Sequence, residues 1–179
     1  FTADLGQGRS LQQIYTLIEG AYDLDYQLKL NGLDQMVDRD QHILLKWVNY
    51  LDKIEKNTQY ERIYSTVYYK EVDEDPSWCS MSGDDTEELN DTPVKWISHS
   101  NQFFNSTLLA QNSFASAVVS TTMLEEDDDD LKLAESDIRL AYNGDSEETI
   151  DMKWYIGPNE FETLRDQGYD MEDIVPFGW

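Results

Sequence analysis

Between Tyr22 and Leu30 every second residue is apolar, and this alternation constrains the fold more than any other feature of the chain. Aromatic and aliphatic side chains take one set of positions and polar side chains take the other, as in YDLDYQLKL. A period of two places the two sets on opposite faces of a strand, one buried and one solvated. Asn31-Gly32 is then expected to end this strand. The segment therefore predicts a mainly β protein.

Further segments support a β fold. His42 to Tyr50 could supply a helical face or a strand; we favour a strand, because no helix caps flank it and aromatic and branched residues are frequent. Ile63 to Tyr69 carries aromatic residues at positions of both parities, so this strand is expected to be packed on both sides, as in one layer of a thick sandwich.

The remaining elements are predicted from turn residues. Residues 1–13 form a turn-rich lead-in, and residues 51–61 form a loop or a strand edge. Trp78 and Met81 mark a short strand. Two longer strands, Trp96 to Leu109 and Phe114 to Met123, are joined across Gln111-Asn112, and segments 138–142 and 150–156 form a hairpin across Asn143-Gly144.

Charge excludes several classes of function. The 179 residues carry a formal net charge of −24, which would repel nucleic acid and anionic lipid alike. No apolar run approaches the roughly 20 residues that span a bilayer. Residues 125–130 are six consecutive acids, but they lack the glycine and the later Glu of a calcium loop and are expected to be a solvated loop tip.

Catalytic and metal chemistry is not indicated by the sequence. It has two histidines, His42 and His99, and neither an HExxH nor a GxSxG motif. The single cysteine, Cys79, excludes an internal disulfide and a multi-cysteine zinc site. We therefore expect a non-enzymatic protein without metal or cofactor, in which His99 is structural.

The last 26 residues, Trp154 to Trp179, differ in character from the rest. Gly157-Pro158 is expected to open a short helix, with Pro158 at its first position, Arg165 in its last turn and Gly168 beyond it. The apolar stripe must dock either on the core or on a neighbouring segment. Its candidate members are Phe161, Leu164, Ile174, Val175, Phe177 and Trp179. The predicted partition is a β-sandwich over residues 1–156 and a helical connector over 157–179.

Short motifs spread over most of the chain resemble the large periplasmic domain of the YidC/Oxa family of membrane-protein insertases, in a Bacteroides-type form. The most specific are Asn101-Gln102-Phe103-Phe104-Asn105-Ser106 and the frame formed by Trp154-Tyr155-Ile156-Gly157-Pro158 and Phe177-Gly178-Trp179. Trp96-Ile97, Ile14 to Leu17 and Tyr22 to Tyr26 also match in order. The chain is expected to be the C-terminal portion of that domain, cut from a longer protein and lacking its first strands.

The resemblance implies a β-supersandwich similar to galactose mutarotase, followed by helical segments that lead to the membrane. It implies a non-enzymatic scaffold at the periplasmic face of the bacterial inner membrane, in a multi-pass protein whose transmembrane segments are absent from this chain. The implied partners are Sec translocon components and nascent membrane proteins. Residues 157–179 would couple the sandwich to the membrane, and Trp96, Phe103 and Phe104 are candidates for a groove.

One alternative belongs to a different class. Aromatic side chains exceed what a small sandwich needs, and a secreted carbohydrate-binding or carbohydrate-modifying β-sandwich would use such residues as a platform beside polar groups. That alternative predicts measurable sugar binding.

Overall fold

The computed structural model describes residues 1–38 and 41–175, which form two antiparallel sheets packed face to face. Within these residues the strands are, in chain order, β1 (Thr2–Gly6), β2 (Arg9–Leu17), β3 (Asp23–Asn31), β4 (His42–Asp52), β5 (Thr66–Glu71), β6 (Ser77–Trp78), β7 (Asp85–Leu89), β8 (Val94–Ser100), β9 (Phe104–Phe114), β10 (Ser116–Met123), β11 (Asp130–Ala141) and β12 (Glu147–Pro158). Two helices, α1 (Thr58–Tyr64) and α2 (Phe161–Gln167), and two 3₁₀ helices, Leu33–Gln35 and Met171–Ile174, complete the described elements.

The large sheet has eight strands in the order β1-β2-β3-β12-β9-β8-β5-β6, and the small sheet has four in the order β4-β11-β10-β7. The main core lies between the sheets. It buries one parity of each strand, so that Tyr26, Leu28 and Leu30 of β3 face Ile138 and Leu140 of the small sheet's β11 across one continuous apolar cluster. The predicted mainly β sandwich with a short C-terminal helical extension is thus confirmed.

Strands predicted from alternation are where they were expected. β3 and β4 match the predicted segments, and Gly32 follows β3 with a positive φ of 66°, which favours glycine. In β5 the residues from Thr66 to Lys70 are all buried, as expected for a strand packed on both faces. The acidic run lies in a loop up to residue 129, and Asp130 begins β11.

The predicted hairpin over 138–156 is wrong. β11 pairs with β4 and β10 in the small sheet, whereas β12 pairs with β3 and β9 in the large sheet, so the chain crosses between the sheets at residues 142–146. Alternation identifies the buried face of a strand but not the sheet to which the strand belongs.

The predicted turn at Gln111-Asn112 is also wrong, because both residues lie inside β9. The turn is at residues 101–103 instead, where the Asn101 Oδ1 accepts hydrogen bonds from the backbone N–H of Phe103 (3.1 Å) and Phe104 (2.9 Å). An asparagine side chain that mimics a backbone turn in this way splits the predicted strand Trp96 to Leu109 into β8 and β9.

Several short elements were not predicted. The lead-in contains the hairpin of β1 and β2, and β7 is an acidic strand with Leu89 as its buried apolar residue. Residues 58–64 are helical, because the Asn57 side chain caps the first turn by accepting from the Tyr60 N–H. Met81 lies in a bend beyond β6 rather than in a strand.

At the C-terminal end the helix begins later than expected. Pro158 is the last residue of β12 rather than the first of a helix, and α2 starts at Phe161 and ends before Gly168. None of the helices formed by residues 1–38 and 41–175 is long and apolar enough to span a bilayer.

Candidate interaction site

The C-terminal segment, residues 159–175, packs on the outer face of the large sheet. Its three fully buried side chains, Leu164, Met171 and Ile174, form a second apolar cluster with one residue from each of four strands. Those four residues have the parity opposite to the main core and come from β5, β8, β9 and β12; they are Tyr68, Trp96, Leu109 and Tyr155. We call this set of seven residues the outer cluster. It explains why β5 and β8 are buried on both faces.

Polar contacts fasten the turn between α2 and the second 3₁₀ helix to the sheet. The Trp96 Nε1–H donates to the Tyr169 carbonyl oxygen at 2.8 Å, and the Lys70 Nζ lies 2.8 Å from a carboxylate oxygen of Asp170. Tyr169 and Asp170 have φ values of 58° and 59°, in the left-handed region that residues other than glycine seldom adopt. The turn is held in an uncommon conformation by contacts on both of its residues.

Lys95 supports the same turn from below. Its Nζ donates to three carbonyl oxygens at the end of β9, those of Ala110, Gln111 and Asn112, at 2.9, 3.0 and 3.0 Å. The ammonium also lies 4.2 Å from the centroid of the Tyr169 ring. A buried cation with three acceptors and an aromatic face is well compensated for its lost hydration.

The junction between β12 and the C-terminal segment is tightly packed. The Tyr155 hydroxyl donates to the Pro158 carbonyl at 2.7 Å, and burial raises the pKa of Tyr155 to about 12, so the donor is present at neutral pH. A Cβ on Gly157 would lie 2.8 Å from the Tyr155 ring and 2.9 Å from the Tyr22 Cβ. Only glycine fits here without displacing the tyrosine.

Asn159 ties this junction to the turn between β8 and β9. Its backbone N–H donates to the Phe103 carbonyl at 2.7 Å, and its side-chain amide donates to the Asn101 carbonyl at 2.8 Å. The Asn105 amide in turn donates to Asn159 Oδ1 at 2.8 Å. The two most specific sequence motifs, Asn101 to Ser106 and Trp154 to Pro158, therefore meet in space.

The predicted coupling residues do not share one environment. Leu164 and Ile174 are buried in the outer cluster, whereas Phe161 and Val175 are half-buried; Val175 packs against that cluster. The Arg165 guanidinium lies 5.6 Å from the Phe161 ring centroid. Phe177 and Trp179 lie outside the described residues.

The three predicted groove residues are not brought together. Trp96 is fully buried under the C-terminal segment, whereas Phe103 and Phe104 lie about half exposed, at 47% and 51%, at the turn between β8 and β9. Phe104 borders a shallow cavity of about 280 Å³ between the ends of the sheets, which neither Trp96 nor Phe103 lines. Trp96 belongs with the coupling residues.

His99 is sealed between the sheets. It is 1% exposed, its ring stacks on Trp47 at 3.7 Å, and its Nε2 is 2.8 Å from the Ser136 hydroxyl. Burial lowers the pKa of His99 to about 3, so the ring is neutral at physiological pH. Within residues 1–38 and 41–175, no group of three or more His, Cys, Asp or Glu side chains is arranged to hold a metal ion.

Sequence reasoning missed the polar residues that fasten the segment. Lys70 and Lys95 stand within strands among apolar residues, and a buried lysine position inside a two-sided strand is a signal that a partner awaits it. Tyr169 and Asp170 follow Gly168 with no pattern that would predict two consecutive positive φ values.

Comparison with known proteins identifies relatives along the whole chain. The model of the YidC periplasmic domain family matches residues 1–179. Proteins named membrane protein insertase YidC are 26% identical over 174 residues in Phocaeicola vulgatus, 26% over 173 residues in Bacteroides fragilis and 28% over 183 residues in Parabacteroides distasonis. These matches cover 92%, 93% and 97% of this chain but 28%, 28% and 29% of the relatives. The chain thus spans less than a third of their length.

Proposed function

The chain belongs to the YidC periplasmic domain family, and from that premise we propose that it is a docking scaffold of a membrane-protein insertase. Its place is the periplasmic face of the bacterial inner membrane. The relatives bear the name of an insertase, and the carbohydrate-binding alternative has no support from them.

The proposal extends to partners of the whole protein. We propose that the longer protein carrying this domain inserts nascent membrane proteins, and that the domain contacts those chains or components of the Sec translocon. It would do so without catalysis. The sealed, neutral state of His99, whose pKa burial lowers to about 3, supports a structural role for that histidine.

The observation that carries the proposal is the family match over residues 1–179 together with the fastening of the C-terminal segment. An element that packs on the scaffold through an apolar cluster, an ion pair and a buried indole hydrogen bond follows the scaffold as one body. In our proposal this segment transmits the position of the sandwich to the membrane-embedded part of the insertase.

The predicted coupling residues then have two roles. We propose that Leu164, Ile174 and the former groove candidate Trp96 hold the segment on the sheet, while Phe161 and Val175 border the surface that meets the membrane part. Phe177 and Trp179 remain proposed as continuations of that surface. Phe103 and Phe104 remain proposed as a separate contact, half exposed beside the Asn159 junction.

The test replaces both Phe161 and Leu164 by Asp in the full-length protein. A carboxylate at the fully buried Leu164 position cannot be hydrated, so the C-terminal segment should detach from the sheet. We expect insertion of a membrane-protein reporter to fall in cells that depend on this protein. Protease protection of the reporter measures insertion, and circular dichroism of residues 1–179 measures folding of the sandwich.

The matched control is Asp166→Ala, an exposed position on the same helix, which should leave insertion unchanged. Leu164→Ala provides a milder second variant in which the sandwich stays folded. Wild-type insertion by the double variant would refute the coupling role, because the outer cluster could not then be needed.

A further inference from the structure

The sandwich has four edge strands, and one of them differs from the others. β1, β6 and β7 are short, with five, two and five residues, and β7 is acidic. β4 has eleven residues, and among the described residues it pairs only with β11. Soluble proteins normally shorten, charge or cover their edges, because an open row of N–H and C=O groups recruits other strands. β4 has neither proline nor glycine and carries Lys46 near its middle.

Both faces of β4 present apolar side chains near the open edge. On the outer face Leu44, Val48 and Tyr50 are 58%, 45% and 54% exposed. On the inner face Leu45 and Trp47 border a cavity of about 160 Å³ whose opposite wall is formed by the large sheet. That wall is largely aromatic and consists of Tyr15, Tyr26 and Trp154, with Gln13 and Leu108.

The large sheet extends beyond β4 as a shelf. β2 is half-buried along most of its length, and Tyr15 stacks on Tyr26 at 4.7 Å with nearly parallel rings. A strand added beside β4 would lie over this shelf, and its inward side chains would enter the aromatic cavity. The space beside β4 thus has both a hydrogen-bonding edge and an apolar floor.

Charge restricts what can occupy it. Lys46 is shared by two carboxylates of the adjacent strand, with its Nζ 3.5 Å from Glu135 and 3.9 Å from Asp137. The local balance is therefore negative, and the whole chain carries −24. A second copy would bring the same charge, whereas a cationic segment would be attracted.

We propose that the open edge of β4 binds an extended, cationic polypeptide segment, which pairs with β4 as a fifth strand of the small sheet. Main-chain hydrogen bonds supply the pairing, the aromatic cavity takes alternate apolar side chains, and basic side chains face the carboxylates of β11. The inference rests on the proposed docking function for the biological source of the segment. It does not depend on the C-terminal segment, so the two can fail separately.

Hydrogen exchange of residues 1–179 tests the pairing. In an edge strand only alternate residues direct their amides to the neighbouring strand, so every second amide of β4 should exchange fast. The probe is a peptide of alternating valine and lysine, as long as β4 and blocked at both ends. We expect it to slow exchange of the fast β4 amides by about tenfold or more.

Two control peptides and a pair of variants define the site. A peptide with glutamate in place of lysine should not protect β4, and nor should one N-methylated on the amides of one edge. Cross-linking uses a cysteine in the peptide against Leu44→Cys on β4, with Glu88→Cys on the short edge strand β7 as the matched control; both positions are exposed. Burial raises the pKa of Cys79 to about 12, so this thiol should stay unreacted.

Protection by the lysine peptide alone, with cross-linking at position 44 and not at 88, supports the proposal. Equal protection by the glutamate peptide would overturn it, as would no protection by either. Protection that grows with the concentration of the free chain would assign the edge to a second copy. Protection already complete in the longer protein would assign it to another part of that protein. Either result also overturns the proposal.

Discussion

The two apolar clusters share the large sheet but hold different partners. On the inner face Val67 and Tyr69 of β5 pack toward the small sheet, in a core built from both sheets. On the outer face Tyr68 of the same strand packs against three side chains of the C-terminal segment. The inner core holds the fold together, whereas the outer cluster sets the position of one segment on a sheet that is already formed.

The clusters also treat charge differently. The lysines at the outer cluster are paired, Lys70 with Asp170 and Lys95 with three carbonyls. On the small sheet Lys132 is fully buried, and its Nζ donates to the Met81 carbonyl at 3.1 Å without an ion pair among the described residues. Burial lowers the pKa of Lys132 to about 8. Polar chemistry thus fixes the segment outside and carries a cost inside.

Phe114→Ala should have the largest effect, because it leaves a cavity in the inner core. Phe114 is 1% exposed and belongs to the inter-sheet cluster. The free energy of unfolding should fall by about 4 kcal/mol, in a single cooperative transition that includes the C-terminal segment. Urea unfolding followed by tryptophan fluorescence and by far-ultraviolet circular dichroism measures it. Two separated transitions would contradict the shared-sheet picture.

Leu164→Ala should instead act locally. It removes a fully buried side chain from the outer cluster, at a cost of about 3 kcal/mol to the packing of the segment. Amides of residues 161–175 should lose hydrogen-exchange protection while those of β3 and β11 keep theirs. Asp166→Ala serves as the control on the same helix. Equal loss of protection in both sheets would show that the outer cluster is part of the global core.

Lys132→Met should stabilise the protein, by about 2 kcal/mol at neutral pH, because it removes a buried unpaired charge. The gain should shrink as the pH rises. The pKa of Lys132 in the folded state, about 8, lies below the ordinary value of 10.5, so the wild type gains stability through that window. Chemical denaturation of both proteins from about pH 7 to about pH 9 measures the difference. A constant difference over this range would refute the prediction.

Asp170→Asn should have the smallest effect. It removes the ion pair with Lys70 but keeps a residue that tolerates positive φ, and Asp170 is largely exposed. We expect a loss of about 1 kcal/mol or less, confined to the C-terminal segment and weaker at high salt. Exchange of amides 168–175 at two salt concentrations measures it. A salt-independent loss would argue that the contact acts through packing.

The inner core was accessible from the sequence because its residues recur with a period of two. That pattern located β3, β4 and β5, and in β5 it even showed that both faces are covered. It failed for segments 138–156 because two alternating strands joined by an Asn-Gly turn look like a hairpin whether or not they pair. The short connection here leads from one sheet to the other.

The outer cluster was only partly predictable. Phe161 and Leu164 were expected to dock, and Leu164 does so on the sheet. Trp96 was assigned to a groove because nothing in a strand sequence tells which outward residue the C-terminal segment will cover. The fastening of Tyr169 and Asp170 depends on tertiary contacts that have no local sequence pattern.

The central place of β12 has a mechanical consequence. This strand lies between β3 and β9, with which it forms antiparallel ladders over Glu147–Tyr155 and Met152–Pro158, and it runs directly into the C-terminal segment. A pull applied through that segment acts along the strand, across hydrogen bonds that run perpendicular to it, and loads the two ladders together rather than opening them one bond at a time. The domain is therefore built to bear tension through this end.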